Sequence, residues 1–139
     1  MSTPKILLLG ANGQIGTELA EALAQRHGPA AVVTSDLAPR GRLPALRHEA
    51  LDVTDAAALA AAVKRHGITQ IYLLAAALSA SGEQHPQWAW HLNMAGLLNV
   101  LELARTVKLQ RVFWPSSIAA FGPGTPADAP QHTGMDPGT

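Results

Sequence analysis

Lys5-Ile6-Leu7-Leu8-Leu9-Gly10-Ala11-Asn12-Gly13-Gln14-Ile15-Gly16 is the stretch that decides the fold. Its first part is a short continuous apolar run that stops at a glycine, the pattern of a strand buried on both faces of a parallel sheet. From Gly13 to His27 the apolar residues Ile15, Leu19, Ala22 and Leu23 recur at helical spacing, with Glu18, Glu21, Gln25 and Arg26 between them. A glycine triplet G-x-x-G-x-x-G thus joins a strand to a helix. In that setting Gly10 permits the tight turn, and Gly13 lets backbone approach a pyrophosphate with no Cβ in the way. Gly16 lets the helix pack closely on the strand, and the helix start offers free N–H groups and a positive dipole. The triplet alone also fits a plain strand-to-helix turn. Asp36 shifts the balance: it lies 20 residues after Gly16, at the end of a second strand over Ala31 to Ser35. A carboxylate there accepts from the ribose hydroxyls of NAD and repels the 2′-phosphate of NADP. Arg40 and Arg42 close by keep NADP as the minor alternative.

Outward from this turn, strands and helices alternate. His48 to Leu51 reads as a third strand, and Thr54 or Asp55 caps an alanine-rich helix that runs to His66 and ends at Gly67. Ile71 to Leu74 is a fourth strand, followed by a Ser/Gly-rich loop, Ser79 to Gln84. One long helix spans Pro86 to Val107, and Arg111 to Trp114 is a fifth strand. Alternation of this kind predicts an α/β fold with a doubly wound parallel sheet of Rossmann type, about five strands with flanking helices. Residues 1–121 form the expected dinucleotide-binding domain, and 122–139 a Pro/Gly-rich loop. At the rim where strands end, Asp52 either accepts from an adenine amino group beside Val53 or belongs to the cap of the helix that follows. Ala75, Ala76 and Ala77 are small enough for backbone to crowd a cofactor, or simply pack. The cofactor-binding residues expected from the turn and the strand ends are Gly10, Asn12, Gly13, Gln14, Ile15, Gly16, Asp36, Leu37, Asp52, Val53, Leu74, Ala75, Ala76 and Ala77.

Composition excludes several other classes. The chain has 139 residues, 47% hydrophobic, with ten basic and ten acidic residues, a balance that gives no electrostatic footprint for nucleic acid or an anionic membrane. The absence of cysteine removes a disulfide scaffold, a thiolate metal site and a cysteine nucleophile, and is consistent with a reducing cytoplasm. Histidines stand at 27, 48, 66, 85, 91 and 132 without an i,i+4 pair, so no metal site is expected and they read as surface or helix-end residues. No apolar run approaches the roughly 20 residues of a membrane span.

These residues resemble the extended short-chain dehydrogenase/reductase superfamily: the glycine spacing, Asp36, Ala75-Ala76-Ala77 and Ser116-Ser117. Three stretches are similar to the short-chain type of L-threonine 3-dehydrogenase in particular: Leu78 to Glu83, Pro86 to Met94 with its two tryptophans, and Val112 to Pro123 around Phe113-Trp114-Pro115-Ser116-Ser117. His91 departs from that pattern, which has an acidic residue there. The resemblance covers the whole chain and implies NAD-dependent oxidation of the β-hydroxyl of L-threonine to 2-amino-3-oxobutanoate. It implies that Ser117, five residues before Gly122, is the catalytic serine, whose hydroxyl hydrogen-bonds the substrate oxygen. It also adds Ser116 and Asn93 to the cofactor site. Ser79, Ser81 and Gly82, beyond the fourth strand, are candidate substrate-binding residues together with Ser117, or ordinary loop residues.

The superfamily's general base is a Tyr-x-x-x-Lys pair. Tyr72, the single tyrosine, has Ala76 at the lysine position, and counting on from Ser117 to the family's pair leads past Thr139. The expectation is therefore an amino-terminal part that holds the cofactor, inactive alone because base and lysine are missing. A homodimer through the apolar 86–107 helix is expected too. A nucleotide-sugar epimerase or dehydratase of the same superfamily, and a non-catalytic dinucleotide-binding module, are the alternatives.

Overall fold

In a computed structural model of the chain, residues 3–77 and 79–117 are described. The elements in chain order are β1 (Ile6–Leu9), α1 (Gln14–His27), a 3-10 turn Pro29–Ala31, β2 (Val32–Asp36), β3 (Arg47–Ala50), α2 (Ala56–His66), β4 (Gln70–Leu73), α3 (Ser79–Gln84), α4 (Pro86–Val107) and β5 (Arg111–Phe113). Each strand pairs in parallel with its neighbours in the order β3-β2-β1-β4-β5. This is the doubly wound sheet that the alternation predicts.

All four residues of β1 are buried. Successive strand side chains face opposite sides of a sheet, and both sides are covered here. Ile6 and Leu8 pack with Ala20 and Leu23 of α1, whereas Leu7 and Leu9 pack with Leu59 and Val63 of α2 and Leu97 and Val100 of α4. At about 1.5–3 kcal/mol for each fully buried aliphatic side chain, this strand anchors two cores at once. The edge strands β3 and β5 are short and largely exposed, which limits pairing with foreign strands.

The structure differs from the sequence reading in four places. Residues 79–84, expected as a loop, form α3, against which α4 packs. The second to fifth strands have bounds displaced by about one residue from the apolar runs. His66 is a helix-end residue, but its side chain is only 5% exposed and its Nε2 lies 2.6 Å from Glu49 Oε1. His48, expected at the surface, is half-buried and bonded on both ring nitrogens. Tyr72 lies in β4 with its ring 5.3 Å from that of Phe113. Leu78, His132, the stretch Ile118 to Pro123 and the loop 122–139 lie outside the described residues.

Candidate functional site

The sheet changes winding direction between β1 and β4, and the connections that leave these two strands part to opposite faces. A crevice opens at such a point, at the carboxyl ends of the strands. Gly10 sits in it with φ +84°, and a Cβ there would stand 2.5 Å from the Ala75 amide nitrogen. The turn is tied to the end of β2, since the Gly10 and Ala11 amides both donate to the Ser35 carbonyl at 2.9 Å. A Cβ on Gly16 would collide with the Gly10 carbonyl oxygen, whereas one on Gly13 would meet only that oxygen at 3.5 Å. Gly13 is exposed and is the N-cap of α1. No side chain caps this helix and its first turn holds no acid, so its positive end faces the crevice uncompensated.

Asp36 closes the far side. Its Oδ2 accepts from the Asn12 amide at 3.0 Å, and its Oδ1 from the Leu37 amide at 2.9 Å. A carboxylate has about four lone-pair sites, so acceptor capacity remains for a diol. The Asn12 side chain does not point to the crevice chemistry directly. Its Nδ2 donates to the Arg40 carbonyl, and its Oδ1 accepts from the Arg42 amide, both at 3.0 Å. His48 holds the same loop at the Ala38 carbonyl, 2.9 Å from Nε2.

Asp55 caps α2 through the Ala58 amide. Asp52 instead accepts from the amide and hydroxyl of Thr54 at 2.8 and 2.7 Å. Its neighbour Val53 is buried against α4, where a Cβ on Gly96 would lie 2.8 Å from Val53 Cγ2. Asn99 Nδ2 donates to the Val53 and Thr54 carbonyls at 3.0 and 3.1 Å, and Asn93 Oδ1 accepts from the Ala77 amide at 2.9 Å.

Two cavities follow from this arrangement. The first, about 270 Å³, is bounded by Gly10, Gly13, Asp36, Leu37, Asp52, Val53, Leu74, Ala75 and Ala76, together with Ser35, Leu51 and Leu92. The second, about 400 Å³, shares Leu74, Ala75 and Ala76 and continues past Ala77 and Asn93 to Trp114, Pro115, Ser116 and Ser117. They therefore run as one trough along the carboxyl edge, from the end of β2 to the end of β5. A third hollow, about 610 Å³, adjoins at Ala77 and Asn93 and is lined by Gly82, Glu83 and Trp90.

Most of the sequence-nominated residues thus meet in one trough. Gln14 and Ile15 are exposed at the start of α1 and line neither of its cavities, and Gly16 lies buried beneath the turn. Ser79 and Ser81 fall in α3, and their side chains lie outside the described residues. Sequence reasoning missed Ser35, Leu51 and Leu92 in the wall, and Asn99 and His48 behind it. The signal for Asn99 was a polar residue on the buried face of α4, three positions after Gly96. Among the described residues no group of His, Asp or Glu is arranged to hold a metal ion, and no helix is long and apolar enough to cross a membrane.

The residues present suit a dinucleotide. The Ser35 hydroxyl is buried without a hydrogen-bond partner among the described residues and stands in the wall of the first cavity. A Gly13 Cβ would meet nothing tighter than the Gly10 carbonyl oxygen at van der Waals distance.

The pattern of the NAD dependent epimerase/dehydratase family matches residues 6–138. An uncharacterized epimerase/dehydratase of Staphylococcus saprophyticus is 45% identical over 133 residues, covering 93% of this chain and 41% of that protein. Among solved structures, the GalE-like L-threonine dehydrogenase of Cupriavidus necator (holo form) superposes with a TM-score of 0.92 at 67% identity, over 96% of this chain and 44% of that one. The L-threonine dehydrogenase of Clostridium difficile gives 0.87 at 38% identity, over 99% and 44%. The chain spans less than half the length of these relatives.

Proposed function

Because the chain belongs to the NAD dependent epimerase/dehydratase family, we propose that it is the NAD-binding part of a cytoplasmic L-threonine 3-dehydrogenase, a homodimer that converts L-threonine to 2-amino-3-oxobutanoate. Residues 1–121 are the cofactor domain in this reading, and 122–139 lead toward the region that supplies the general base. The observation that carries it is the trough itself, which begins at Asp36 and ends at Ser116 and Ser117. The choice of L-threonine is supported by the likeness to L-threonine dehydrogenases.

The uncapped start of α1 holds the pyrophosphate through its free backbone N–H groups, and Gly10 and Gly13 keep side chains out of its way. Asp36 takes the adenosine ribose, with Leu37, Asp52 and Val53 around the adenine. Leu74, Ala75, Ala76 and Ala77 let backbone lie close along the cofactor, and Asn93 fixes that segment by accepting from the Ala77 amide. NAD, when bound, supplies the hydride acceptor. Ser117 orients the substrate hydroxyl and stabilises the charge that develops on its oxygen. Ser79, Ser81 and Gly82 are the candidates to hold the substrate's carboxylate or amine, and Gly82 lines the hollow that adjoins the trough. The proton of the hydroxyl needs a base, and the 139 residues hold no Tyr-x-x-x-Lys pair: Tyr72 has Ala76 at the lysine position.

Two measurements test this. Calorimetric titration of the chain is expected to show NAD binding in preference to NADP. Asp36→Ala should weaken NAD by about tenfold or more, the value of a hydrogen bond to a charged group, with a smaller loss for NADP. Equal losses would remove Asp36 from the ribose. The chain alone should not turn over L-threonine, whereas a longer chain carrying the Tyr/Lys pair should. The curated relatives are described as epimerase/dehydratases, which gives the second reading: turnover by that longer chain of a nucleotide sugar, with none of L-threonine, would establish it instead.

A further inference from the structure

We propose that Asn12 is the positioning residue that sets the choice between NAD and NADP, acting through the loop it closes and not through contact with the cofactor. The inference rests on the NAD reading above. Asn12 sits in the phosphate-binding turn, yet its amide is bonded to the last residue of β2 and its side chain to the loop between β2 and β3. Its amide donates to Asp36 Oδ2, its side-chain amide donates to the Arg40 carbonyl, and its side-chain oxygen accepts from the Arg42 amide. One residue therefore does two things that bear on a 2′-phosphate. It helps fix the carboxylate that repels that group, and it pins the backbone on which Arg40 and Arg42 are mounted.

Those two are the only cations on this edge of the sheet among the described residues, and Arg40 and Arg42 are both exposed. An arginine is the residue that accommodates a 2′-phosphate when it reaches the ribose. Held by Asn12, the loop keeps its course beside the turn. His48 is hydrogen-bonded to the loop at Ala38, two residues earlier, whereas the side chain that bonds the backbone of Arg40 and Arg42 is that of Asn12. Gly41, between them, packs against the His48 ring, where a Cβ would lie 2.8 Å from Nδ1. The loop is thus clamped on both sides of Arg40, and Asn12 is the clamp nearer the crevice.

The test combines titration of NAD and NADP with amide hydrogen exchange in the cofactor-free chain, on the wild type and on Asn12→Ala. Loss of the side-chain tethers should raise the Kd for NAD by about tenfold, change that for NADP less, and so narrow the preference by about fivefold. The Arg42 amide should exchange faster in the variant before any cofactor is added. Asn12→Ser, whose shorter side chain cannot span both partners, should behave alike if the alanine variant proves poorly folded. A wild type that binds NAD while the variants keep its NAD:NADP preference overturns the role of Asn12 alone. Unchanged exchange at Arg42 overturns the clamp. Failure of the wild type to bind NAD overturns the NAD reading and, with it, the selectivity role.

Discussion

Gly10, Gly13 and Gly16 are spaced alike but constrained for three different reasons. Gly10 has a positive φ and no room beside Ala75, Gly16 has no room beneath the Gly10 carbonyl, and Gly13 has an ordinary φ of −69° and room for a Cβ in van der Waals contact, so that only a ligand would exclude one there. The substitutions should separate accordingly. Gly16→Ala forces the first turn of α1 off the strand and should cost about 1–3 kcal/mol, an overpacking penalty read from the urea midpoint. Gly13→Ala should cost less than about 1 kcal/mol, the difference between these residues at an N-cap, yet should abolish measurable NAD binding because the new methyl stands where the ligand belongs. A stable Gly13→Ala chain with unaltered affinity would show that the crevice is not the pyrophosphate site.

At the scale of elements, α4 is the scaffold of the site. Asn93, Gly96 and Asn99 recur every third residue on its buried side, and each serves one loop of the trough: the segment after β4, Val53 by close approach, and the turn after β3. Asn99→Ala leaves two partly buried carbonyls without their donor. It should lower stability by about 1–2 kcal/mol and loosen Asp52 and Val53, seen as faster exchange in residues 52–55. On the opposite edge α2 is fastened to β3 by Glu49. The His66 hydrogen bond holds the Glu49 carboxyl below the usual carboxylate range, helped by Arg65 and opposed by burial. A carboxyl with a lowered folded value stabilises the fold above its unfolded value and loses that contribution as pH falls through the lower one. Glu49→Gln should therefore flatten the loss of stability below about pH 5 in thermal melts. What could be read from the sequence follows the same division. Strands and helices announced themselves because burial periodicity is local, and α4 was bounded at Pro86 and Val107 by proline and by the end of the apolar pattern. The glycine turn and Asp36 were legible because their spacing is short and fixed. Helix α3 was not, because its Ser/Gly-rich composition has low helix propensity and α4 packs upon it, and the Asn99 clamp was not, because its bonds join residues 46 and 45 positions apart.

For the molecule as a whole, a net charge of zero conceals segregation. Eight of the ten basic residues, Lys5, Arg26, Arg47, Lys64, Arg65, Arg105, Lys108 and Arg111, stand at strand starts and helix ends, the amino edge of the sheet, whereas Asp36, Asp52, Asp55 and Glu83 stand near the carboxyl edge with Arg40 and Arg42. Cations at helix ends complement the helix dipoles there, and the trough is left to backbone N–H groups and the start of α1. The remaining unbalanced feature is apolar. The outer face of α4 carries Trp90, Leu98 and Leu101, at 70%, 58% and 46% exposure, and Trp88 nearer its start is 50% exposed. Within one chain only the sheet-facing side of this helix is buried, at Gly96, Leu97 and Val100. A contiguous apolar face of this kind marks an association surface, and in the proposed homodimer a second copy covers it. Sedimentation velocity should then show a concentration-dependent monomer–dimer equilibrium. Leu98→Glu combined with Leu101→Glu should shift it to monomer with only a small change in folding stability, because both side chains point away from the core. The same double variant should bind NAD as the wild type does, since neither residue lines the trough. A wild type that stays monomeric at every concentration, or a double variant that still dimerises, would place the contact elsewhere.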